Sequence, residues 1–457
     1  MFPRKIIHYL IEWKNKKGRK PLVLRGARQV GKTSAVLMFA KKYFKNLIHL
    51  NLENIEHLRL FREAISLDDF EKIMQIKFHQ KIVPDETLIF IDEIQNSPSL
   101  MKLLRFFYEE RPNIHVIAAG SLFQAKIERE GFSLPVGRIE YAYVYPLDFF
   151  EYLEAQKEIE LLTFLKSVFL EDKIPEAIHQ EGLRHFYEYT MIGGMPEVVK
   201  VYIENRNIDS LKSIYSSLFT SYSEDIYKYS SLANTKYLSY VIEQAPLFAG
   251  TTITYEKFGG SSFRSREISA AFDTLEKVML VYQVQATKSK EIPLIGQRKR
   301  PKKLLFLDVG LINHRMGVQE EFINLKDLND FYRGRIAEQI IGQNILAQFI
   351  NHIPIILYWA KGKREGTAEV DFCLQVKGTI LGVEVKSGGS GRLRSLFSFA
   401  DVVKNHQLVR IYSGHLKKEK VKIGGKIYKL TSVPFYLTSR IIDTHAFTGG
   451  EFSLNLK

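Results

Sequence analysis

Residues 26–33 read Gly26-Ala27-Arg28-Gln29-Val30-Gly31-Lys32-Thr33, and Ser34 follows them. A strand-like apolar run, Leu22-Val23-Leu24, precedes this stretch, and a helix-like segment over residues 34–44 comes after it. A glycine-rich loop that ends in Gly-Lys-Thr between a strand and a helix is the pattern of a phosphate-binding loop. Because glycine carries no Cβ, Gly26 and Gly31 let the backbone wrap closely around an anion. The stretch therefore predicts a P-loop α/β fold for the start of the chain.

The same loop predicts a ligand. We expect residues 26–34 to hold a nucleoside triphosphate, taken here as ATP, because their backbone N–H groups would point at its β- and γ-phosphates. Lys32 would place positive charge on those phosphates, and the Thr33 hydroxyl would ligate Mg²⁺. The alternative is an ordinary glycine-rich turn before a helix, and the complete motif argues against it.

A second element predicts hydrolysis as well as binding. The apolar run Leu88-Ile89-Phe90-Ile91 is followed by Asp92 and Glu93. Such a run is typical of a strand buried on both faces of a parallel sheet, so Asp92 would lie at the edge where ligands bind. There Asp92 would hold Mg²⁺, and Glu93 would act as a general base on the attacking water. The alternative, a helix cap with an acidic first turn, is disfavoured by the nearby P-loop.

Strand-like and helix-like segments alternate up to residue 146, which predicts a parallel sheet with helices on both faces. Ser121 follows the fourth candidate strand and would hydrogen-bond the attacking water or the γ-phosphate, or else cap the next helix. Arg138 precedes the fifth candidate strand. It would supply charge to the transition state, from its own chain or from a neighbour in a homo-oligomer, or else be a surface residue. The candidate strands are residues 21–25, 47–52, 87–92, 114–119 and 139–145.

Composition limits the class of protein. A chain of 457 residues is expected to form about two to four domains. No stretch approaches the roughly twenty apolar residues of a membrane span, and the start lacks a secretory signal. Cys373 is the single cysteine, so no intrachain disulfide can form, and a cytoplasmic protein without a membrane partner is expected. The net charge of +14 favours a polyanionic partner, or serves solubility alone.

Several short strings together resemble the prokaryotic AAA-type ATPases that carry a C-terminal domain of unknown function. The resemblance implies an AAA-like ATPase domain over residues 1–146 and a helical segment over 147–235. It further implies a winged-helix-like domain over 236–318 and a mixed α/β, restriction-endonuclease-like domain over 319–457. Ser121 departs from the Asn, Thr or Asp common in AAA proteins, and the helical segment shows no second sensor arginine. The strings are residues 26–33, 88–95, 120–121, 137–138, 193–197, 307–311, 369–372 and 383–388.

Residues 236–318 also show a winged-helix pattern of their own. An apolar helical stripe is followed by two strand-like runs, residues 280–286 and 303–307, with a basic stretch between them. A basic tip between two strands is suited to the phosphate backbone of DNA, and it has no evident set of base-reading residues. The alternative is an exposed hairpin that lysines keep soluble. The basic residues are Lys288, Lys290, Arg298, Lys299, Arg300, Lys302 and Lys303.

The last part of the chain carries a second chemical pattern. Glu384 and Lys386 are two apart on a strand-like run, so both project from the same face. Asp371 ends the neighbouring strand-like segment 368–374, and Glu338 lies on a helical stretch. Asp371 and Glu384 would hold Mg²⁺ or Mn²⁺, with Glu338 as a candidate third carboxylate of the site. The metal would activate water against a phosphodiester with Lys386 assisting. Cross-strand ion pairs are the alternative.

This second pattern resembles the catalytic core of restriction-type and Holliday-junction nucleases, with Val370 in place of the usual proline. Arg392 and Arg394 would grip phosphates nearby, or be loop charges. Two functions remain open for the whole chain. In the first, an ATP cycle drives a DNA-processing module. In the second, the protein is a nucleotide-controlled switch whose C-terminal part binds nucleic acid or a protein without cutting.

Overall fold

The N-terminal part forms a three-layer α/β unit. A computed structural model of the chain describes residues 2–121, 137–229, 232–319, 334–362, 367–388 and 393–442. Its first elements are α1 Ile6–Asn15, β1 Leu22–Arg25, α2 Lys32–Tyr43, β2 Asn46–Asn51, α3 Ile55–Arg59, α4 Leu67–Lys77, β3 Thr87–Asp92, α5 Pro98–Glu110, β4 His115–Gly120 and β5 Glu140–Tyr143.

These five strands make one parallel sheet in the order β2-β3-β4-β1-β5. Every residue of β3 and β4 is buried, as expected for central strands covered by helices on both faces. The predicted parallel sheet is confirmed, and each predicted strand lies within two residues of an observed one. In a parallel sheet all carboxyl ends meet at one edge, so the segments that follow β1, β3 and β4 are brought together.

A helical segment follows the sheet. Asp148 caps its first helix, since its side chain accepts the N–H of Glu151 at 2.9 Å, and Glu151 reaches back to the N–H of Asp148. The aromatic residues of this helix, Phe149, Phe150 and Tyr152, are buried in the core. The helices are α6 Phe149–Ala155, α7 Ile159–Ser167, α8 Glu176–Ile192, α9 Pro196–Asn205, α10 Lys212–Tyr229 and α11 Leu232–Phe248.

The remaining strands form one mixed sheet of nine, in the order β13-β14-β12-β11-β10-β9-β7-β8-β6. Its elements in chain order are β6 Thr252–Ile253, α12 Ser265–Lys277, β7 Val281–Thr287, β8 Lys302–Phe306, α13 Val309–Met316, α14 Arg335–Leu346, β9 Ile356–Ala360, β10 Glu369–Val376, β11 Thr379–Val385, α15 Arg394–Ala400, β12 His406–Tyr412, β13 Lys417–Ile423 and β14 Lys426–Pro434.

This sheet joins two regions that the sequence suggested were separate. Strand β7 pairs in parallel with β9, with Gln285 opposite Leu357, so the predicted winged-helix strands continue directly into the C-terminal strands. The helical stripe on α12, which includes Ile268, Phe272 and Leu275, is buried as predicted. A continuous sheet means that side chains from β8 can lie beside those from β10, across the expected domain boundary.

Two of the strings behind the family resemblance meet in space. The carboxylate of Asp308 is fully buried and accepts the N–H of Gly194 at 2.7 Å. A Cβ on Gly193, whose φ is +75°, would lie 2.0 Å from Asp308 Oδ1, so this close approach requires glycine. Burial raises the pKa of Asp308 to about 6, which the hydrogen bonds only partly offset. The loop before α9 is therefore fixed to the start of α13.

Candidate nucleotide site and carboxylate cluster

The carboxyl edge of the N-terminal sheet assembles the predicted nucleotide residues. Arg25 lies opposite Gly120, and Asp92 lies opposite Ala119, so β1, β3 and β4 end in one row. The chain leaves this edge as the P-loop after β1, as Glu93 after β3 and as Ser121 after β4. Residues 59 apart in sequence, Thr33 and Asp92, thus come into hydrogen-bonding contact.

The P-loop has the backbone that its glycines predict. A Cβ on Gly26 would lie 2.3 Å from the carbonyl oxygen of Val144, so a larger residue would force the loop away from the chain after β5. Gly31 has a φ of +94°, a left-handed conformation that favours glycine, and it immediately precedes α2. The loop therefore reaches the amino end of α2 with backbone N–H groups free to meet an anion.

Lys32 is buried and turned into the loop. Its ammonium donates to the carbonyl oxygens of Gly26 at 3.0 Å and Ala27 at 2.8 Å. Burial lowers the pKa of Lys32, and the nearby carboxylates of Glu93 and Asp92 oppose that shift. A buried ammonium held by two carbonyls gains from contact with phosphate oxygens, because the charge is then compensated by a full opposite charge.

Thr33 and Asp92 present adjacent oxygen atoms. The Thr33 hydroxyl donates to Asp92 Oδ2 at 2.6 Å. Burial raises the pKa of Asp92, while the hydrogen bond from Thr33 and the charge of Lys32 lower it. Hydroxyl and carboxylate oxygens are hard ligands of the kind Mg²⁺ prefers, so this pair fits that ion.

Glu93 follows in a left-handed conformation with φ +53°. A non-glycine residue in that region is strained by about 1–3 kcal/mol, and such residues cluster at functional sites. Its Oε2 accepts a hydrogen bond from the Gln95 amide and a longer one, 3.5 Å, from the Ser121 hydroxyl. Ser121, which directly follows β4, therefore lies beside Glu93 at this edge of the sheet. The residues that it would cap as a helix start lie outside the described part of the chain.

Arg4 supports the loop, although no sequence pattern indicates this role. Its buried guanidinium donates to the carbonyl of Val30 at 2.7 Å and to that of Tyr145 at 2.7 Å. It also forms a 2.9 Å ion pair with Glu151 at the start of α6. One side chain thus ties the P-loop to the segment after β5 and to the helical region.

The loop opens onto a cleft of about 650 Å³. The start of α9 also lines the cleft, through Pro196, Glu197 and Lys200. On another side, Arg28 of the loop pairs with Asp225 on α10 at 2.7 Å, a residue for which the sequence indicated no chemistry. The lining residues are Phe2, Arg4, Arg28, Gln29, Gly31, Lys32, Thr33, Ser34, Ala35, Asn51, Glu53, Asp92, Glu93, Leu147, Pro196, Glu197 and Lys200.

Arg138 lies away from this cleft. It comes two residues before Glu140, which is opposite Leu22 at the amino end of β1, so Arg138 is at the opposite edge of the sheet from the P-loop. Its guanidinium pairs with Glu109 at 2.7 Å on the surface. Arg138 is therefore not positioned to reach a nucleotide in its own chain, which leaves a role in a neighbouring chain or as a surface residue.

A larger cavity, about 850 Å³, lies behind β1 between Arg25, Met279, Tyr282 and the segment 353–357. Its lining holds none of the residues predicted to act in catalysis or metal binding. The geometry that matches nucleotide chemistry is at the sheet edge, so the smaller cleft is the better candidate site.

The C-terminal carboxylates surround a lysine that the sequence had indicated as an exposed basic residue. Lys303 on β8 is only 1% exposed. Its ammonium lies 2.6 Å from Glu338, 3.1 Å from Asp371 and 3.3 Å from Glu369. Burial alone would lower the pKa of Lys303, but these carboxylates outweigh burial and raise it. The prediction that Lys303 belongs to the exposed basic tip is wrong, because its buried ammonium meets carboxylates from α14 and β10, a strand of the same continuous sheet.

Glu384 and Lys386 form the second half of this carboxylate cluster. The Lys386 ammonium lies 2.6 Å from Glu384 Oε1, while Glu384 Oε2 is buried without a hydrogen-bond partner. Asp371 lies within β10, not at the end of a strand as predicted, and its Oδ2 accepts the N–H of Val385 at 2.8 Å. Burial and then repulsion from Asp371 raise the pKa of Glu384 to about 8 and that of Glu338 to about 7.

Three of the four carboxylate oxygens of the predicted metal ligands Asp371 and Glu384 are thus already engaged, and Glu384 Oε2 lacks a partner. Each oxygen of Asp371 accepts a hydrogen bond, one from Lys303 and one from the backbone. Among the residues that the structure describes, no group of three or more acidic, histidine or cysteine side chains is placed to hold a metal ion. Asp371 and Glu384 therefore fit a divalent metal poorly in this arrangement. Arg394 begins α15, and Arg392 lies outside the described residues.

The basic stretch between β7 and β8 is only partly free. Arg300 donates to the carbonyls of Ala360 at 3.0 Å and Lys361 at 2.8 Å, so it anchors the segment to β9. Exposed positive charge remains on Lys288, Lys290, Arg298 and Lys299. Three of the basic residues, Lys288, Arg298 and Lys299, line a shallow cavity of about 550 Å³ together with Gln297 and Arg300.

The family comparisons agree with the geometry of the first site. Residues 18–153 match the family model of an AAA domain. Residues 183–321 and 333–436 match two domains of unknown function, DUF8612 and DUF4143. The N-terminal part is thus a P-loop ATPase domain of the AAA class, followed by domains of unknown function, and the resemblance read from the sequence is confirmed to that extent. None of the described helices is long and apolar enough to cross a membrane.

Individual relatives are more distant. The chain is 23% identical over 348 residues to the uncharacterized protein MJ1637 of Methanocaldococcus jannaschii. This match covers 70% of the present chain and 66% of that protein. It therefore spans just under two thirds of the length of this relative. Among solved structures, the Thermotoga maritima RuvB Holliday junction branch migration motor matches with 14% identity over 65% of this chain and 93% of that chain, at a TM-score of 0.29. The Aeropyrum pernix ORC1 protein in complex with DNA matches with 12% identity, 70% and 92% coverage and a TM-score of 0.27. Likeness this low carries no information on what the present chain binds.

Proposed function

We propose that the chain binds and hydrolyses ATP in the cleft beside the P-loop. One observation carries the proposal. Four predicted side chains line one cleft at the sheet edge, namely those of Lys32, Thr33, Asp92 and Glu93, and the Thr33 hydroxyl lies 2.6 Å from Asp92 Oδ2. Phosphoryl transfer needs positioned positive charge on the phosphates and a group that orients water. This edge offers both within a single cleft.

In the proposed reaction, Lys32 exchanges its contacts with Gly26 and Ala27 for the β- and γ-phosphate oxygens. The P-loop N–H groups cradle the same phosphates, with Arg4 holding the carbonyl of Val30 in place. Thr33 and Asp92 would hold Mg²⁺, which when bound neutralises the charge that develops on the phosphates. Their existing contact keeps both oxygens in position before the nucleotide arrives.

Glu93 accepts a proton from the attacking water in this proposal. Gln95 and Ser121 both donate to Oε2 of Glu93 and so orient the carboxylate. A positioned general base contributes about 10²–10⁴-fold to a rate. Ser121, which also lies at the strand end, is suited to hold the water or the γ-phosphate.

The test is ATP turnover and nucleotide binding in Lys32→Ala. We expect turnover to be lost, since buried positive charge on the phosphates is removed. Lys41→Ala is the matched control, because it removes an exposed lysine from the same helix, α2, away from the loop. Unchanged turnover in Lys32→Ala would disprove the assigned site.

We further propose that the chain acts on or with DNA through its C-terminal half. The net charge of +14, the exposed residues Lys288, Lys290, Arg298 and Lys299, and the order α12, β7, β8, which is that of a winged helix, support this. A salt titration of DNA binding tests it, because release of counter-ions makes affinity fall steeply with salt. Neutralising Lys288, Arg298 and Lys299 should flatten the response. If the triple variant showed the same salt dependence of DNA binding as the unchanged protein, the three charges would serve solubility instead.

For the carboxylate cluster we favour binding without cleavage, so that the whole chain is a nucleotide-controlled switch. The observation behind this choice is Lys303, whose ammonium already lies among Glu338, Glu369 and Asp371. A screen of duplex, branched and single-stranded DNA with Mg²⁺ or Mn²⁺, with and without ATP, should show no cutting. Cleavage that is lost in Asp371→Ala, with ATP turnover intact, would instead establish a nuclease.

A further inference from the structure

The hairpin of β13 and β14 at the end of the large sheet has two chemically different faces. In its antiparallel register Lys420 lies opposite Lys429, Lys422 opposite Ile427 and Lys418 opposite Thr431. Residues directly opposite each other share a face, and alternate residues along a strand point the same way. One face therefore carries Lys418, Lys420, Lys422 and Lys429, here called the lysine face.

The lysines of the opposite face are paired with acids. Lys417 lies 2.8 Å from Glu419, which also pairs with Arg410 of β12 at 3.0 Å. Lys426 lies 2.6 Å from Asp401 at the end of α15. On that side of the hairpin, positive charge is therefore balanced within the molecule.

The lysine face lacks such balance. All of its four lysines are exposed, and no ion pair between described residues includes any of them. Every residue that shares the face with them is uncharged, namely Ile427 and Thr431. Lys420 and Lys429 are a like-charged pair directly opposite each other, an arrangement that destabilises a hairpin.

Protection of a sheet edge does not account for this arrangement. Lysines on an edge strand prevent sheets from joining, and β13 is the outermost strand of the nine. Lys429, however, is on β14, the strand inside β13, which pairs with β12 from the next residue, Leu430, onward. A repulsive pair that joins the outermost strand to the strand inside it therefore calls for another role.

We propose that the lysine face binds the sugar–phosphate backbone of a nucleic acid without sequence preference. Lys418, Lys420 and Lys422 form a straight row, because same-face residues on a strand repeat about every 6.6–6.8 Å. A straight row of flexible ammonium groups suits a linear polyanion with regularly spaced charges. A membrane would require an apolar face, and the exposed tip residues Ile423 and Ile427 lie on opposite faces of the hairpin.

This inference extends the proposal that the chain acts on DNA, and it adds a contact far along the sheet from the segment between β7 and β8. Five strands, β14, β12, β11, β10 and β9, separate β13 from β7 in the sheet order. A nucleic acid held at both places would cross the sheet that contains the carboxylate cluster. Phosphate contacts at the hairpin would position it there and would not read its bases.

The test compares two double variants of the full chain that remove equal charge from the two faces of one hairpin. Lys420→Gln/Lys429→Gln neutralises the lysine face, and Lys417→Gln/Lys426→Gln neutralises the paired face. Binding of a short DNA duplex is measured by fluorescence anisotropy across about 50–200 mM salt. If each lysine contacts one phosphate, the slope of log K against log salt should lose about 1.8 in magnitude in the lysine-face variant. The paired-face variant should keep the slope of the unchanged protein.

A second double variant of the lysine face controls for local unfolding of the hairpin. Lys418→Gln/Lys422→Gln lies on β13 alone and should give the same loss of slope. Equal slopes in the lysine-face and paired-face variants would overturn the inference. If the lysine-face variant lost binding to anionic lipid vesicles and kept its DNA binding unchanged, the choice of nucleic acid as the partner would be overturned. ATP turnover should be unaffected in all of these variants, so a failure here is distinguishable from a failure of the nucleotide site.

Discussion

The hydroxyl of Thr33 and the carboxylate of Asp92 are joined by a 2.6 Å hydrogen bond that links the start of α2 to the end of β3. Each residue sits on an element of the parallel sheet unit, so their separation is set by strand pairing and helix packing. This contact makes the nucleotide site a property of the folded domain and gives the first prediction.

Thr33→Val removes the hydroxyl while keeping the shape of the side chain. We expect Mg²⁺-dependent ATP affinity to fall by about 10- to 100-fold, the effect of losing a hydrogen bond to a charged partner. Thr33→Ser keeps the hydroxyl and should bind within a few-fold of the unchanged protein. Titration calorimetry with and without Mg²⁺ measures both, and equal affinities for the Val and Ser variants would contradict the assignment.

Glu93→Gln keeps the hydrogen-bonding shape and removes the base. Turnover should fall by about 10²–10⁴-fold while ATP still binds, because Glu93 acts on water and not on the nucleotide. Ser121→Ala should cause a smaller loss, since Gln95 still orients the carboxylate. A Glu93→Gln variant that hydrolyses ATP at the normal rate would exclude this role.

Arg138 lies at the sheet edge opposite the P-loop, so any catalytic role must be in a neighbouring chain. We expect Arg138→Ala to be impaired in turnover and Lys32→Ala to be inactive. Mixing the two should restore activity, because a mixed assembly contains sites with both an intact Lys32 and a neighbour's intact Arg138. If the two variants co-assemble and no mixing ratio restores turnover, Arg138 has no catalytic role in a neighbouring chain. Its ion pair with Glu109 on the surface would then be its only assigned contact.

Lys200 projects from α9 into the nucleotide cleft. We expect Lys200→Met to weaken ATP binding by about tenfold and ADP binding by less. In this prediction the Lys200 ammonium contacts the γ-phosphate, which ADP lacks. Lys166→Met, on α7 in the same helical region, is the matched exposed control. Equal losses for ATP and ADP would place Lys200 near the inner phosphates instead.

The raised pKa values of Glu338, about 7, and Glu384, about 8, predict a pH-dependent stability. Both acids have an ordinary value of 4.5, so between that pH and about 8 the folded protein binds more protons than the unfolded one. Their contribution is complete below pH 4.5 and is lost as pH rises through 7 to 8.

The free energy of unfolding, and with it the melting temperature, should therefore fall between about pH 5 and pH 8. Glu384→Gln cannot ionise and should flatten the fall, whereas the exposed acid Glu63, changed to Gln, should not. A melting curve of Glu384→Gln with the same pH dependence as the unchanged protein would show that Glu384 is ionised throughout.

Much of the N-terminal site follows from local sequence. Short-range patterns specify its main features. Glycine spacing indicates the P-loop, and continuous apolar runs indicate the five strands, including the one that ends at Asp92. Such patterns identify parallel strands, and parallel strands bring their carboxyl ends together. The joint position of Lys32, Asp92 and Ser121 was predictable for that reason.

The contacts that complete the sites come from distant parts of the chain. Arg4 and Asp225 look like ordinary charged residues in helical or terminal sequence, yet one holds Val30 and the other pairs with Arg28. The basic neighbours of Lys303 in sequence predict an exposed stretch, whereas its side chain is buried among carboxylates. Only the pairing of β7 with β9 shows that β8 lies where Glu338 and Asp371 converge.

Local sequence is enough to specify the P-loop, the acidic pair and the parallel sheet, because each depends on the conformation and burial of adjacent residues. Tertiary structure alone decided which cation meets the C-terminal carboxylates and which lysines stay unpaired on the last hairpin. Charge pairing depends on distances of a few ångströms between strands that are far apart in the chain, and residue order carries no record of those distances.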